Sequence, residues 1–193
     1  MNAGRFDAAI ARFDAAHAED PQKDAAGQPQ ELVYAQRMSA WLAKLAPDAC
    51  EALRLAARCQ HIRRWAIRRG DYPEGAAGYR QWRIDEAAAH AVVAREMLEK
   101  AGYDEPAIER VQALVRKERL KLDADTQLLE DVGCLVFLEH YFAEFARKHD
   151  EAKLVDILRK TWRKMSPRGH QAALALKLSA PLRGIVEKAL GGK

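Results

Sequence analysis

The residues that favour β-structure are scarce in this chain: valine, isoleucine and threonine are sparse, while alanine, leucine, arginine and glutamate dominate. Local propensity therefore points to helix throughout, and an all-α fold is expected. Long apolar runs are missing too. No stretch reaches the roughly 18 to 20 uninterrupted apolar residues of a membrane span, and the N-terminal residues lack the cationic and apolar layout of a secretory signal, so a cytoplasmic protein with no membrane partner is expected. Cysteine is limited to Cys50, Cys59 and Cys134. Their spacing makes neither a zinc knuckle nor a C-x-x-C redox motif, and they read as buried thiols. A G-x-x-x-x-G-K-S/T phosphate loop and a G-x-S-x-G nucleophile elbow are both absent, so neither a P-loop enzyme nor an esterase-type nucleophile is indicated.

What the chain does have is enough length, 193 residues, for a single helical domain, with roughly two thirds of its unfolded surface buried. Amphipathic periodicity predicts helices over about Arg5–His17, Gln30–Leu45, Asp48–Arg69, Tyr79–Ala101, Asp104–Leu122, Asp125–Lys148, Glu151–Lys164, Pro167–Leu176 and Pro181–Leu190. Asp48 with Glu51 resembles a capping box, and Asp104 with Pro106 and Ser166 with Pro167 mark helix starts. EDPQKDAAGQPQ reads as a linker and GDYPEGAAG as a loop able to cover a site. The expected organisation is an N-terminal helix and linker over 1–29, a helical core over about 30–145, and C-terminal helices over 150–193.

Several polar residues fall on faces that should be apolar. At 100° per residue Gln60 and Arg64 join Leu53, Ala56, Ala57 and Ile67; Asp131 lies within the stripe of Leu128, Leu135, Leu138 and Phe142. Glu118 falls beside Val111, Leu114 and Val115, Arg80 beside Ile84, Ala87 and Ala91, and Tyr34 beside Met38, Leu42 and Leu45. Burying an unpaired ion costs several kcal/mol, so Asp131 and Glu118 are expected to meet Arg64, Arg80 or both. One outcome is a closed salt-bridge network that fixes helix packing. The other is a cleft in which Arg64, Arg80, Arg83 and Lys117 hold a small anion, His61 transfers a proton, and Tyr34, Gln60, Glu118 and Asp131 complete the lining.

Net charge is +4, with seven arginines from Arg58 to Arg83 set among Trp65, Tyr72, Tyr79 and Trp82. That mixture, with the basic stretch LRKTWRKMSPRGHQ, keeps an RNA-associated or protein-partner role open as the alternative. Glu139, His140 and Glu144 share helical spacing but lack the second histidine of a zinc motif.

AARCQHIRRW resembles the segment of HD-domain metal phosphohydrolases that carries the His-Asp pair, with Gln60 and His61 at the pair's positions. YAQRM then puts Tyr34 where the first histidine stands, Lys117 and Glu118 fall where later histidines occur, and Asp131 in TQLLEDVGCL sits near the closing aspartate. The resemblance spans roughly residues 30 to 145 and implies an HD-like arrangement of about eight helices and a phosphohydrolase-type reaction. Since the histidine-type ligands are replaced, no metal or cofactor is expected beyond weak Mg²⁺ or Mn²⁺ on oxygen donors. AARCQHIRRWAI, DYP, GYRQWR, VRKERL, LEDVGCLVFLEHYF and LRKTWRKMS also resemble a domain-of-unknown-function family often labelled glutamyl-tRNA synthetase. A complete synthetase is excluded, because the sequence lacks the alternating strands and helices of a nucleotide-binding fold.

Overall fold

The computed structural model describes residues 3–191. Among them the chain is all-α: ten α-helices in sequence order, short 3₁₀ and π turns, and one isolated β-bridge between Lys23 and Pro29. No helix of the described residues is long and apolar enough to cross a membrane. The chain groups into two compact units, residues 1–119 and 120–193.

In the first unit α1 (Ala3–Ala18), α2 (Gln30–Leu45), α3 (Glu51–Cys59), α4 (Gly75–Lys100) and α5 (Glu105–Val115) enclose Phe13, Met38, Leu42, Leu53, Leu98, Ile108 and Leu114, all fully buried. Helix α3 packs on α1, α2 and α5, and α4 on α1 and α5. The linker after α1 is tied down by Asp20, whose carboxylate accepts from the backbone N–H of Gln22 and of Glu31, each at 2.9 Å. An aspartate eleven residues upstream thus satisfies a free N–H in the first turn of α2. Asp104 caps α5 as its sequence suggests, accepting from Ala107 N at 3.3 Å.

Three expectations are corrected in this unit. Helix α3 starts at Glu51 with Cys50 at its cap, so Asp48 and Glu51 form no capping box; Glu51 instead accepts from the Tyr103 hydroxyl at 2.8 Å. The same helix stops at Cys59, well before Arg69, and Arg63 follows in the left-handed region with φ 52°. The segment GDYPEGAAG is not a free loop: its GAAG end forms the first turn of α4, Tyr72 donates to Asp85 of that helix at 2.8 Å, and Gly78 lies so close to Pro73 that a Cβ there would stand 1.9 Å from its carbonyl oxygen. Only glycine fits at that position.

The second unit contains α6 (Ala124–Val136), a π-helical turn (Phe137–Tyr141), α7 (Phe142–Arg147), α8 (Glu151–Lys164), α9 (Pro167–Leu174) and α10 (Ala180–Ala189). The helix expected over 125–148 is present and carries the π turn at its centre. Asp123, Asp150 and Ser166 cap α6, α8 and α9 by accepting backbone N–H groups at 2.8, 2.8 and 3.2 Å. Leu129, Leu135, Phe142, Leu154 and Leu158 are buried here.

Candidate functional site

Helix α4 buries a line of residues, Gly78, Trp82, Glu86, His90, Ala94 and Leu98, each four after the last, with Ala91 beside it. The ends of the line are ordinary core, whereas Glu86 and His90 in its middle are polar. Opposite them the chain leaves α3 and turns through residues 60–67. Two ring N–H groups strap this turn to α4: His90 Nδ1 donates to the Ile62 carbonyl at 2.7 Å, and Trp82 Nε1 to the Ile67 carbonyl at 3.0 Å. Gln60, His61 and Arg64 are thereby carried to the polar stretch of α4.

Glu86 is 1% exposed, and its charge is met by two guanidiniums. Arg83 Nη1 donates to Oε2 at 2.7 Å, and Arg64 Nε lies 3.2 Å from Oε1. Both guanidiniums also lie over the Trp82 ring, 5.3 Å from its centroid for Arg64 and 5.7 Å for Arg83. Burial raises the Glu86 pKa, and the arginines oppose that rise. Two cations on one carboxylate leave a surplus positive charge. Because the Arg64 and Arg83 side chains remain 31% and 33% exposed, that surplus is accessible to solvent.

The histidines beside this group are both neutral. His61 stacks on Tyr34, with ring centroids 4.2 Å apart and planes 10° from parallel. Its Nδ1 lies 3.3 Å from Arg64 Nη1, and since arginine can only donate, Nδ1 accepts and the ring proton resides on Nε2. Burial, then the Arg64 and Arg83 charges, hold its pKa well below the usual range. His90 has the opposite tautomer: Nδ1–H faces the Ile62 carbonyl, its pKa is pushed down to about 3 chiefly by burial, and its buried Nε2 lone pair has no hydrogen-bond partner. Glu31 Oε2 lies 3.6 Å from His61 Nδ1, and burial raises that carboxyl to about 7. Glu31 Oε2 and Gln60 Oε1 are likewise buried without a hydrogen-bond partner. Buried acceptors of this kind are rare in folded proteins and call for a donor. Chemically, the centre sets two cationic forks, each about one third exposed, beside buried acceptors, a combination suited to a small anion.

Of the residues expected from sequence, Tyr34, His61, Arg64 and Arg83 come together here, and Gln60 is buried next to His61 in the chain. Lys117 is half-buried, in the left-handed region at φ 56°, and its charge acts on His61. Arg80 is exposed, because the buried line of α4 runs through Trp82 and Glu86 and leaves Ile84 55% exposed. Glu118 is also exposed and pairs with Arg116 at 2.6 Å, since α5 ends at Val115 and its apolar face does not extend that far. Asp131 is buried as expected, but its partners are neutral: Ser166 N at 2.8 Å, Ser166 Oγ at 2.5 Å and Gln127 Nε2 at 3.1 Å. The carboxylate that takes the arginines is instead Glu86, which sequence reasoning missed together with Glu31 and His90. The four-residue repeat from Trp82 to Leu98 was the available signal for two of them. Among the described residues no group of three or more His, Cys, Asp or Glu side chains is arranged to hold a metal ion.

A family model described as a domain of unknown function (DUF4202) matches residues 7–186. No curated protein and no solved structure matches the chain.

Proposed function

The chain belongs to the DUF4202 family, a domain of unknown function, and we propose that its polar centre in residues 1–119 binds a small anion such as a phosphate monoester or nucleotide. One observation carries this reading: Arg64 and Arg83 are anchored on the fully buried Glu86 yet keep about a third of their surface open. Anchoring removes much of the entropy cost of ordering long side chains, so the two forks are preorganised for oxyanion geometry. His61 Nε2–H is a hydrogen-bond donor in this role, since a ring whose pKa is held well below 6.5 is a poor proton carrier near neutrality. Hydrolysis of a bound phosphoester would need a group that titrates near neutral pH. Glu31, at about 7, meets that requirement, and phosphate release from a bound ester should then disappear in Glu31→Gln.

The arginines of the 58–83 segment favour this reading over an RNA-associated role. Arg58 pairs with Asp14, Arg63 with Glu19, Arg68 with Asp71, and Arg69 donates to the Tyr72 and Pro73 carbonyls. Most of that positive charge is therefore taken up within the chain.

A thermal-shift panel of phosphorylated metabolites and nucleotides, with and without Mn²⁺, tests the proposal. At a hundred times its dissociation constant a ligand adds about 2.7 kcal/mol, or roughly 5 to 10 °C at this size. One ligand class should produce that shift in the wild type and not in Arg64→Ala. A shift that survives the substitution would place the anion elsewhere.

A further inference from the structure

Residues 120–193 contain a cavity of about 400 Å³ among α8, α9 and α10 that the polar centre does not involve. Its walls are mainly apolar, including Leu138, Leu158, Trp162, Leu176, Val186 and Leu190. A volume of this order suits a small organic ligand, and walls of this kind give water few partners. Leu174 and Leu190, both in the lining, remain 65% and 36% exposed. Two exposed leucines at one cavity are an apolar surface that an occupant would cover.

Three further features define that occupant. Lys177 and Arg183 also line the cavity, and among the described residues neither side chain makes an ion pair; neighbouring Lys188, by contrast, is engaged with Glu151 at 2.7 Å. Glu187 is the single carboxylate of the lining, so the cavity charge is positive by one. Leu138 belongs to the π-helical turn, a local irregularity that recurs at functional sites. Trp162 forms one wall and is fixed by a parallel stack on His170, with centroids 3.9 Å apart, while His170 Nε2 donates to the Trp162 carbonyl at 2.8 Å.

We propose that this cavity binds a small amphipathic monoanion, an unbranched apolar chain ending in a carboxylate. The chain lies against Leu158, Trp162 and Val186, and the head group meets Lys177 and Arg183. Burial of the tail supplies affinity, and the two cations select the sign of the head group.

Calorimetric titration of the full chain with decanoate, decan-1-ol and decyltrimethylammonium, followed in parallel by tryptophan emission, tests the site. Decanoate should bind and alter the emission, with decan-1-ol and the ammonium about tenfold weaker or less. Trp162→Phe should abolish the emission change and keep the binding heat. Lys177→Glu with Arg183→Glu should weaken decanoate about tenfold and reverse the preference toward the ammonium. Both side chains are exposed, so this pair leaves the fold intact. Arg64→Ala should leave decanoate binding unchanged, which separates this site from the polar centre. Equal affinity for all three amphiphiles, absence of heat with any of them, or decanoate binding that ignores the charge reversal would overturn the proposal.

Discussion

The two units each bury a carboxylate at 1% exposure, Glu86 in the first and Asp131 in the second, and they satisfy it in opposite ways. Asp131 is saturated by neutral donors, the Ser166 N–H and hydroxyl and the Gln127 amide. Gly169 closes over it so tightly that a Cβ there would stand 2.6 Å from Oδ1. Nothing in that arrangement can be shared with a ligand, because the donors are fixed and Ser166 is also occupied in capping α9. Glu86 is held by two cations whose side chains remain about one third exposed and whose combined charge exceeds its own. Burial of a charge thus says little about function by itself. The informative feature is whether its partners retain capacity to bind something else.

The contrast can be tested from its largest expected effect downward. Asp131→Ala removes hydrogen bonds to a buried charged acceptor and should cost about 3 to 5 kcal/mol in chemical denaturation. Added phosphate or sulfate should restore none of it. Glu31→Gln tests the other unit through pH. Since the folded carboxyl titrates near 7 and the unfolded one near 4.5, its contribution to stability is fully present below about pH 4.5 and lost as pH rises through 7. The glutamine variant should therefore gain on the wild type by up to roughly 3 kcal/mol between pH 4.5 and 8 in denaturation series. His61 and His90 act in the opposite sense, losing stabilisation as pH falls below 6.5, and both proteins share that loss. Glu86→Gln should cost about 1 to 3 kcal/mol, less than Asp131→Ala because its cations can turn toward water. Inorganic phosphate should then raise the melting temperature of the variant more than that of the wild type. Arg80→Ala, on the exposed side of α4, should stay within about 0.5 kcal/mol and leave anion binding unchanged.

The all-α class and most helix spans were legible because alanine and leucine periodicity and the caps Asp104 and Ser166 act locally. The end of α3 was not, since no glycine or proline marks it. The chain turns there because His90 and Trp82, both on α4, hold the Ile62 and Ile67 carbonyls. Gln60 and Arg64 consequently reach the polar centre from a turn and a 3₁₀ segment, where sequence periodicity had put them on one helical face. Along α4, a face read through Ile84, Ala87 and Ala91 led to Arg80, whereas the buried line runs through Trp82, Glu86 and His90. For Asp131, periodicity identified burial correctly, but its donor Ser166 lies 35 residues away and is neutral, so no charge pattern could reveal it.

The most direct test of the anion-binding centre is a long-range ¹H–¹⁵N imidazole spectrum of the protein titrated with pyrophosphate near pH 6. The expected result is a saturable shift of the His61 nitrogens, accompanied by His90 and absent from His170 and His140, with His61 remaining the Nε2–H tautomer and the response lost in Arg64→Ala. A His61 signal that does not move, or that moves equally in Arg64→Ala, would show that the arginine pair on Glu86 is a closed structural network and no binding site.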